Sequence, residues 1–295
     1  MALSIRAAVA LCAVSMAMAA RAGLTLTPGD PLYADAKGAA LKEPEGVGCS
    51  ESALVVADTG HGRLVAYEWK DGTLSGGTEL KVSQVTYPVR VQLGAGGDIF
   101  VLDRKARRVA KLNHSGQFVG WVEPKNASGV IAGAFRVGPE DHLYLLDIAE
   151  NAVVVLDANA TVTRKLELPR GKGLFTDISV DGAGTIYALD SVGATVWSAD
   201  KSASAFKPFT KSLKEAMSFP SYITPDGKGT LFVVDQNGNG IVLVGPDGTY
   251  LGRRLAIGWN TGLVYYPTQV CFLGTGALAL ADRSNNRIQV FVVTR

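Results

Sequence analysis

Residues 266–291 read YPTQVCFLGTGALALADRSNNRIQVF. Two apolar runs, TQVCFL and ALALAD, flank a Gly-Thr-Gly turn. A polar loop, RSNN, then leads to a third run, RIQVF. Short β-prone runs separated by glycine and polar turns read as consecutive antiparallel strands. The run ending in Asp recurs along the chain: ALVVAD at Asp58, DIFVLD at Asp103, HLYLLD at Asp147, TIYALD at Asp190, TLFVVD at Asp235 and ALALAD at Asp282. The spacing is 43 to 47 residues. An apolar strand precedes each run, as in VRVQLGAGGDIFVLD and ISVDGAGTIYALD. A third strand follows, as in GRLVAYEW, NAVVVLD and GIVLVGP, and in places a fourth, as in QFVGWVE and GTYLGRRL.

A four-strand unit of about 45 residues is a propeller blade. One blade cannot bury both faces of its sheet, so six must pack around a common axis. The expected fold is therefore all-β: one six-bladed β-propeller over residues 23–295. The third strand of blade 6, RIQVFVVTR, ends at Arg295 without a fourth. Leu24-Thr25-Leu26-Thr27 is expected to complete that blade and cover its edge.

The units resemble NHL repeats. That pattern has Pro-x-Gly-Val near the start, as in EPEGV of blade 1, and D-x-x-N-x-R-I-Q-V-F near the end, as in blade 6. The signature Arg stands at Arg63, Arg108 and Arg287; Ala152, Thr195 and Gly240 replace it in blades 3, 4 and 5. The repeat Asp residues are expected to accept N–H bonds from adjoining turns, with the signature Arg pairing to them between blades.

Composition narrows the function classes. Among 295 residues, 29 Lys and Arg stand against 27 Asp and Glu, a net of +2. This shows no global bias toward nucleic acid or anionic membrane. Residues 1–22 carry one early charge, Arg6, an apolar run from Ala7 to Ala20 and small residues at its end, the features of a cleaved secretory signal. That run is short of the ~20 residues that span a bilayer. A secreted or periplasmic protein without a transmembrane span is expected. Cys49 and Cys271 would then meet an oxidising compartment. Blade closure makes their strands neighbours, so a disulfide and two buried thiols both remain open. Asn113, Asn126 and Asn159 lie in N-x-S/T sequons. Residues 211–219, KSLKEAMSF, are read as a short helix.

Chemistry is sought at the channel mouth, where the inner strands begin. Aligned on Pro-x-Gly-Val, the first position holds Glu45, Val89, Phe135, Thr176, Ser221 and Thr268. The next holds Gly46, Arg90, Arg136, Asp177, Tyr222 and Gln269. Glu45, Asp177 and Gln269 are thus channel-mouth candidates. Peptidyl-hydroxyglycine amidating lyases resemble this fold and place histidines right after the inner-strand Pro; none stands there. His61, His114 and His142 fall at three different phases of the repeat and give no zinc set. Six-bladed lactonases, a second resemblance, imply a divalent metal on Glu, Asn and Asp. Glu45 and Asp177 match faintly, but Ser221 and Thr268 stand where an Asn is needed. There is no G-x-S-x-G, P-loop or C-x-x-C-H. No catalytic residue, metal ligand or cofactor is assigned.

The remaining oddity is DRKARRVAKL in blade 2, with Arg104, Lys105, Arg107, Arg108 and Lys111 close together. NHL proteins of the cytoplasm can bind RNA through such a face, but an exported chain is not expected to meet RNA. Tyr87, Phe135, Tyr222, Tyr265 and Tyr266 are assigned to the same face. The expectation is a non-catalytic binding or assembly scaffold. It would engage a protein partner or envelope complex, an acidic glycan or a small anionic ligand through Arg90, Arg104, Lys105, Arg107, Arg136 and Tyr222. The alternative is a channel-mouth enzyme of lactonase-like hydrolase or lyase type.

Overall fold

The computed structural model describes residues 23–171 and 173–295. The expected signal segment, 1–22, lies outside the described residues. Six four-stranded antiparallel sheets form the blades of the propeller. Their inner strands are Gly46–Cys49, Pro88–Leu93, Ala132–Val137, Phe175–Val180, Pro220–Pro225 and Pro267–Leu273. Each contacts the next, and the last contacts the first, which closes the ring around the channel.

Each repeat Asp ends the second strand of its blade. Outer strands range from eight residues in blade 1, Thr73–Leu80, to two in blade 4, Lys207–Pro208. The outer strand of blade 6 comes from the N-terminal side: Thr25–Pro28 pairs antiparallel with the third strand, Arg287–Thr294, placing Leu26 opposite Val293. Among the described residues no helix is long and apolar enough to cross a membrane. The stretch read as a helix, 211–219, is a single turn closed by Met217 N–H on the Leu213 carbonyl. Its Leu213 and Met217 are spent on packing between blades 4 and 5.

The core lies between blades. Along Leu143–Asp147, Leu143 and Leu145 pack toward blade 2, whereas Leu146 packs toward blade 4. Successive side chains of a strand point to opposite faces, so every sheet is apolar on both sides. This is why the strand runs read as continuous Val, Leu and Ile rather than alternating. Blade 1 approaches blade 2 most closely through glycine: a Cβ on Gly48 would lie 2.8 Å from Val91 Cγ1.

The repeat Asp residues perform one job. All six are at most 4% exposed. Each accepts N–H bonds from the segment entering the inner strand of its own blade: Asp58 from Lys42, Asp103 from Thr86 and Tyr87, Asp147 from Ile131. Asp190 takes Leu174, Asp235 takes Phe219 and Asp282 takes Tyr265. The expectation that the signature Arg pairs between blades is corrected. Asp58 and Arg63 are directly opposite on paired strands, as are Asp282 and Arg287, and both pairs close at 2.7 Å within one blade. Arg108 turns away to Glu123 and over Trp121.

Cys49 and Cys271 form a disulfide with Cα atoms 5.5 Å apart. It joins the inner strands of blades 1 and 6 at their lower ends, across the point where the chain closes the ring.

Candidate functional site: the channel mouth

In blades 2 to 6 the inner strand starts with a break in register. Pro88 opposes Asp103 and Arg90 opposes Leu102, so Val89 is left without a partner. Blades 4 and 5 repeat this with Thr176 and Ser221, and blade 6 skips both Thr268 and Gln269. A bulge of this kind re-aims side chains. The skipped positions other than Gln269 line a cup of about 370 Å³ at the upper end of the channel together with Glu45. In blade 3 the skipped residue is Gly133, between Ala132 and Ala134. The alignment that placed Phe135 and Arg136 there is corrected by two residues. This strand starts with Ala132, so no proline marks its register, and Phe135 is buried between blades 2 and 3.

Arg136 consequently lies one pleat period deeper, opposite Tyr144, at the level of Gln92. It is 5% exposed and spans blades 4 and 5. It donates to the Ile178 carbonyl at 2.8 Å, to Tyr222 Oη at 2.6 Å, to Asp177 at 3.0 Å and to the Ile223 carbonyl. Its guanidinium also faces the Tyr222 ring, 4.2 Å from the centroid. Asp177 in turn accepts the Ile223 N–H at 2.9 Å. Burial pushes the Asp177 carboxyl up; Arg136 and Arg90 pull it back only in part.

From the other side Gln269 reaches from blade 6 to blade 2. Its amide donates to the Val91 carbonyl at 2.9 Å and to Tyr222 Oη at 3.3 Å. Its oxygen accepts the N–H groups of Val47 and Val91. Arg90 crosses to blade 5, donating to the Ser221 carbonyl at 2.9 Å beside the Tyr222 ring. Arg90, Arg136, Asp177, Tyr222 and Gln269 therefore form a floor across the channel. Below it lies a separate cavity of about 220 Å³ reaching the disulfide. The expectation that Arg136 and Tyr222 present themselves to a partner is corrected: both are buried in this floor. Asp177 and Gln269, at 1% exposure, are likewise floor groups.

The basic cluster of blade 2 divides. Lys111 pairs with Asp98 at 2.8 Å, away from the mouth. Arg104, Lys105 and Arg107 occupy the exposed loop after Asp103, and Arg104 and Arg107 lean over the cup. Arg104 Nη2 lies 2.7 Å from Glu45 Oε2, with the guanidinium 5.7 Å from the Tyr87 ring. Arg283 approaches the other Glu45 oxygen at 3.5 Å. Tyr265 and Tyr266 stack edge to face. Among the lining residues that escaped the sequence reading are Ile148 and Gln236. Both follow a repeat Asp directly, which was the signal available for them.

A lactonase-type divalent ion does not fit these residues. Glu45 is engaged by Arg104 and Arg283, Asp177 is held by Arg136 in the floor, and hydroxyls stand at the third position. Among the described residues no group of three or more His, Cys, Asp or Glu side chains gathers. His61 is bound to Asp58 at 2.9 Å and His142 to the Pro139 carbonyl.

No protein-family model matches the chain. No curated protein matches its sequence. Solved structures match its fold over most of its length. A virginiamycin B lyase from Staphylococcus aureus, solved with quinupristin as an inactive histidine-to-alanine variant, has a TM-score of 0.66 at 12% identity, covering 92% of this chain and 100% of that one. A gluconolactonase from Xanthomonas campestris gives 0.65 at 14% identity, covering 92% and 98%. A luciferin-regenerating enzyme gives 0.63 at 18%, covering 92% and 96%. The six-bladed propeller is thus of the type seen in these lyases and lactonases; at such identities the likeness shows the fold. The expectation of a non-catalytic scaffold is corrected on this finding. These neighbours are enzymes.

Proposed function

We propose that this chain is an exported propeller of NHL-type repeats acting as an enzyme. It opens a small cyclic ester or related substrate at the upper channel mouth, by lactonase-like hydrolysis or by elimination. One observation carries the reading: a floored cup in which a single carboxylate, Glu45, shares one space with Arg104 and Arg107. Both routes need a base to take a proton and a cation beside the oxygen on which charge develops. Glu45 is the base, toward water in hydrolysis or a C–H bond in elimination. Arg104 is mostly exposed, so it can exchange its partner Glu45 for the substrate oxygen. Export is supported by the signal-like segment 1–22 and by the disulfide, a bond that persists in oxidising compartments.

The test is turnover of a panel of five- and six-membered lactones in ¹⁸O-water by mature protein. Label in the released acid identifies a hydrolase; an unsaturated, unlabelled product identifies a lyase. Glu45→Gln is expected to lower kcat/KM by about 100-fold or more, the usual weight of a positioned base. Turnover equal in Glu45→Gln and wild type, or absent across the panel, overturns the proposal.

A further inference from the structure

The charges around the cup do not balance. In the floor two guanidiniums share one carboxylate, and Arg136 takes it. Among the described residues Arg90 touches no carboxylate; it rests on the Ser221 and Thr268 carbonyls and the Tyr222 ring. Burial pulls the Arg90 guanidinium below its usual range, with Asp177, Tyr222 and Glu45 only partly offsetting it. Above the floor Glu45 is shared by Arg104 and Arg283, and among the described residues the Arg107 guanidinium has no ion-pair partner. A buried cation without a counter-ion gains from an anion brought beside it.

One wall is apolar, built from Val89, Leu102, Ala132 and Ile148.

We infer that the mouth cup binds a small organic carboxylate with an apolar body, its carboxylate held by Arg107 and Arg90. The body lies on the Leu102–Ile148 wall. This deepens the proposed function by naming its substrate class, and it rests on the same cup being the substrate site. The planar guanidinium of Arg107 suits two-point contact with a carboxylate.

The experiment is calorimetric titration of mature protein with 3-phenylpropanoate and with its neutral analogue, 3-phenylpropanamide. The acid is expected to bind at least about tenfold more tightly than the amide, and less tightly as salt is raised. Arg107→Gln should weaken the acid about tenfold, one charge-assisted hydrogen bond, without moving the amide. Arg107 is exposed, so this variant keeps the fold. Lys105→Gln, in the same loop as Arg107 but outside the cup, should leave the acid unchanged. Equal affinity for acid and amide, an unchanged Arg107→Gln, or an equal loss in Lys105→Gln overturns the inference. Binding is read without turnover, so its failure separates from failure of the catalytic proposal. Glu45→Gln should abolish turnover and still bind the acid.

Discussion

The disulfide lets the stability of ring closure be worked out. Cys49 and Cys271 are 222 positions apart. In the unfolded chain the link confines a loop containing nearly the whole propeller. The chain-entropy relation for such a loop gives a stabilisation of about 5 kcal/mol at 25 °C. The folded ring gives up little when the link is cut, because strand 25–28 still pairs with blade 6. The effect therefore acts through the unfolded state. For a domain of this size the entropy of unfolding is about 0.6 kcal/mol per kelvin, so the melting point should fall by about 9 °C. The assay is scanning calorimetry of mature wild type against Cys49→Ala/Cys271→Ala, with a thiol count on the denatured wild type. The expected wild type has no free thiol. Melting points within about 2 °C, well below the shift this entropy requires, would refute the reasoning.

Replacing Arg136 by Met leaves Asp177 buried without its cation and should cost about 3–5 kcal/mol in urea unfolding; Arg136→Met/Asp177→Asn should recover part of the loss, and no recovery would separate the two residues. Asp103 accepts N–H bonds from Thr86, Tyr87 and Ala106 at 2.7 to 2.8 Å, so Asp103→Asn should cost about 2 kcal/mol. Burial raises the Asp103 carboxyl, but its backbone N–H donors outweigh that and hold it below the usual 3.8. A depressed carboxyl contributes stability above its unfolded value and loses it as pH falls through the folded value. Acid titration of stability should therefore steepen below about pH 4 in wild type and less in Asp103→Asn; identical profiles would contradict the assignment.

The blades were legible because each must solve the same problem. A repeat Asp pins the entry of its own inner strand, so it recurs wherever a blade recurs. Both sheet faces are buried, so the strands announce themselves as short apolar runs. The missing outer strand of blade 6 was deducible from the strand count. The floor was not legible, for two reasons. Its register depends on a bulge, and in blade 3 no proline marks where that bulge falls, so Arg136 was placed two residues too high. Its partners also lie across the channel, and no local pattern tells Gln269 of blade 6 that it will meet Val91 of blade 2. Blade 5 shows the same limit. Its signature Arg is replaced by Gly240, and Arg253 from the outer strand supplies Asp235 with a guanidinium at 2.9 Å. A Cβ at Gly240 would stand 3.0 Å from Arg253 Nε. The glycine that looks like a lost signature is the space through which its substitute arrives.

The floor also bears on why one end of the propeller is the place for chemistry. An open channel would let water reach both ends and screen every charge within it. Side chains from blades 2 to 6 instead close it near the level where the strands begin. The cup above therefore has a positively charged base and a rim made by the loops after the repeat Asp residues. Those loops are held at their roots by the same buried carboxylates that define the repeat, so the rim is free to vary without loosening a blade. In blade 2 that freedom is used for Arg104 and Arg107, in blade 3 for Ile148 and in blade 5 for Gln236. Fixed electrostatics stabilise charge at little reorganisation cost only when their supports are rigid. Here the support is the floor, and Arg90 belongs to it and to the cup at once. A substrate anion seated above would complete the floor's charge balance, so ligand binding and stability of the inner ring are coupled through that one guanidinium.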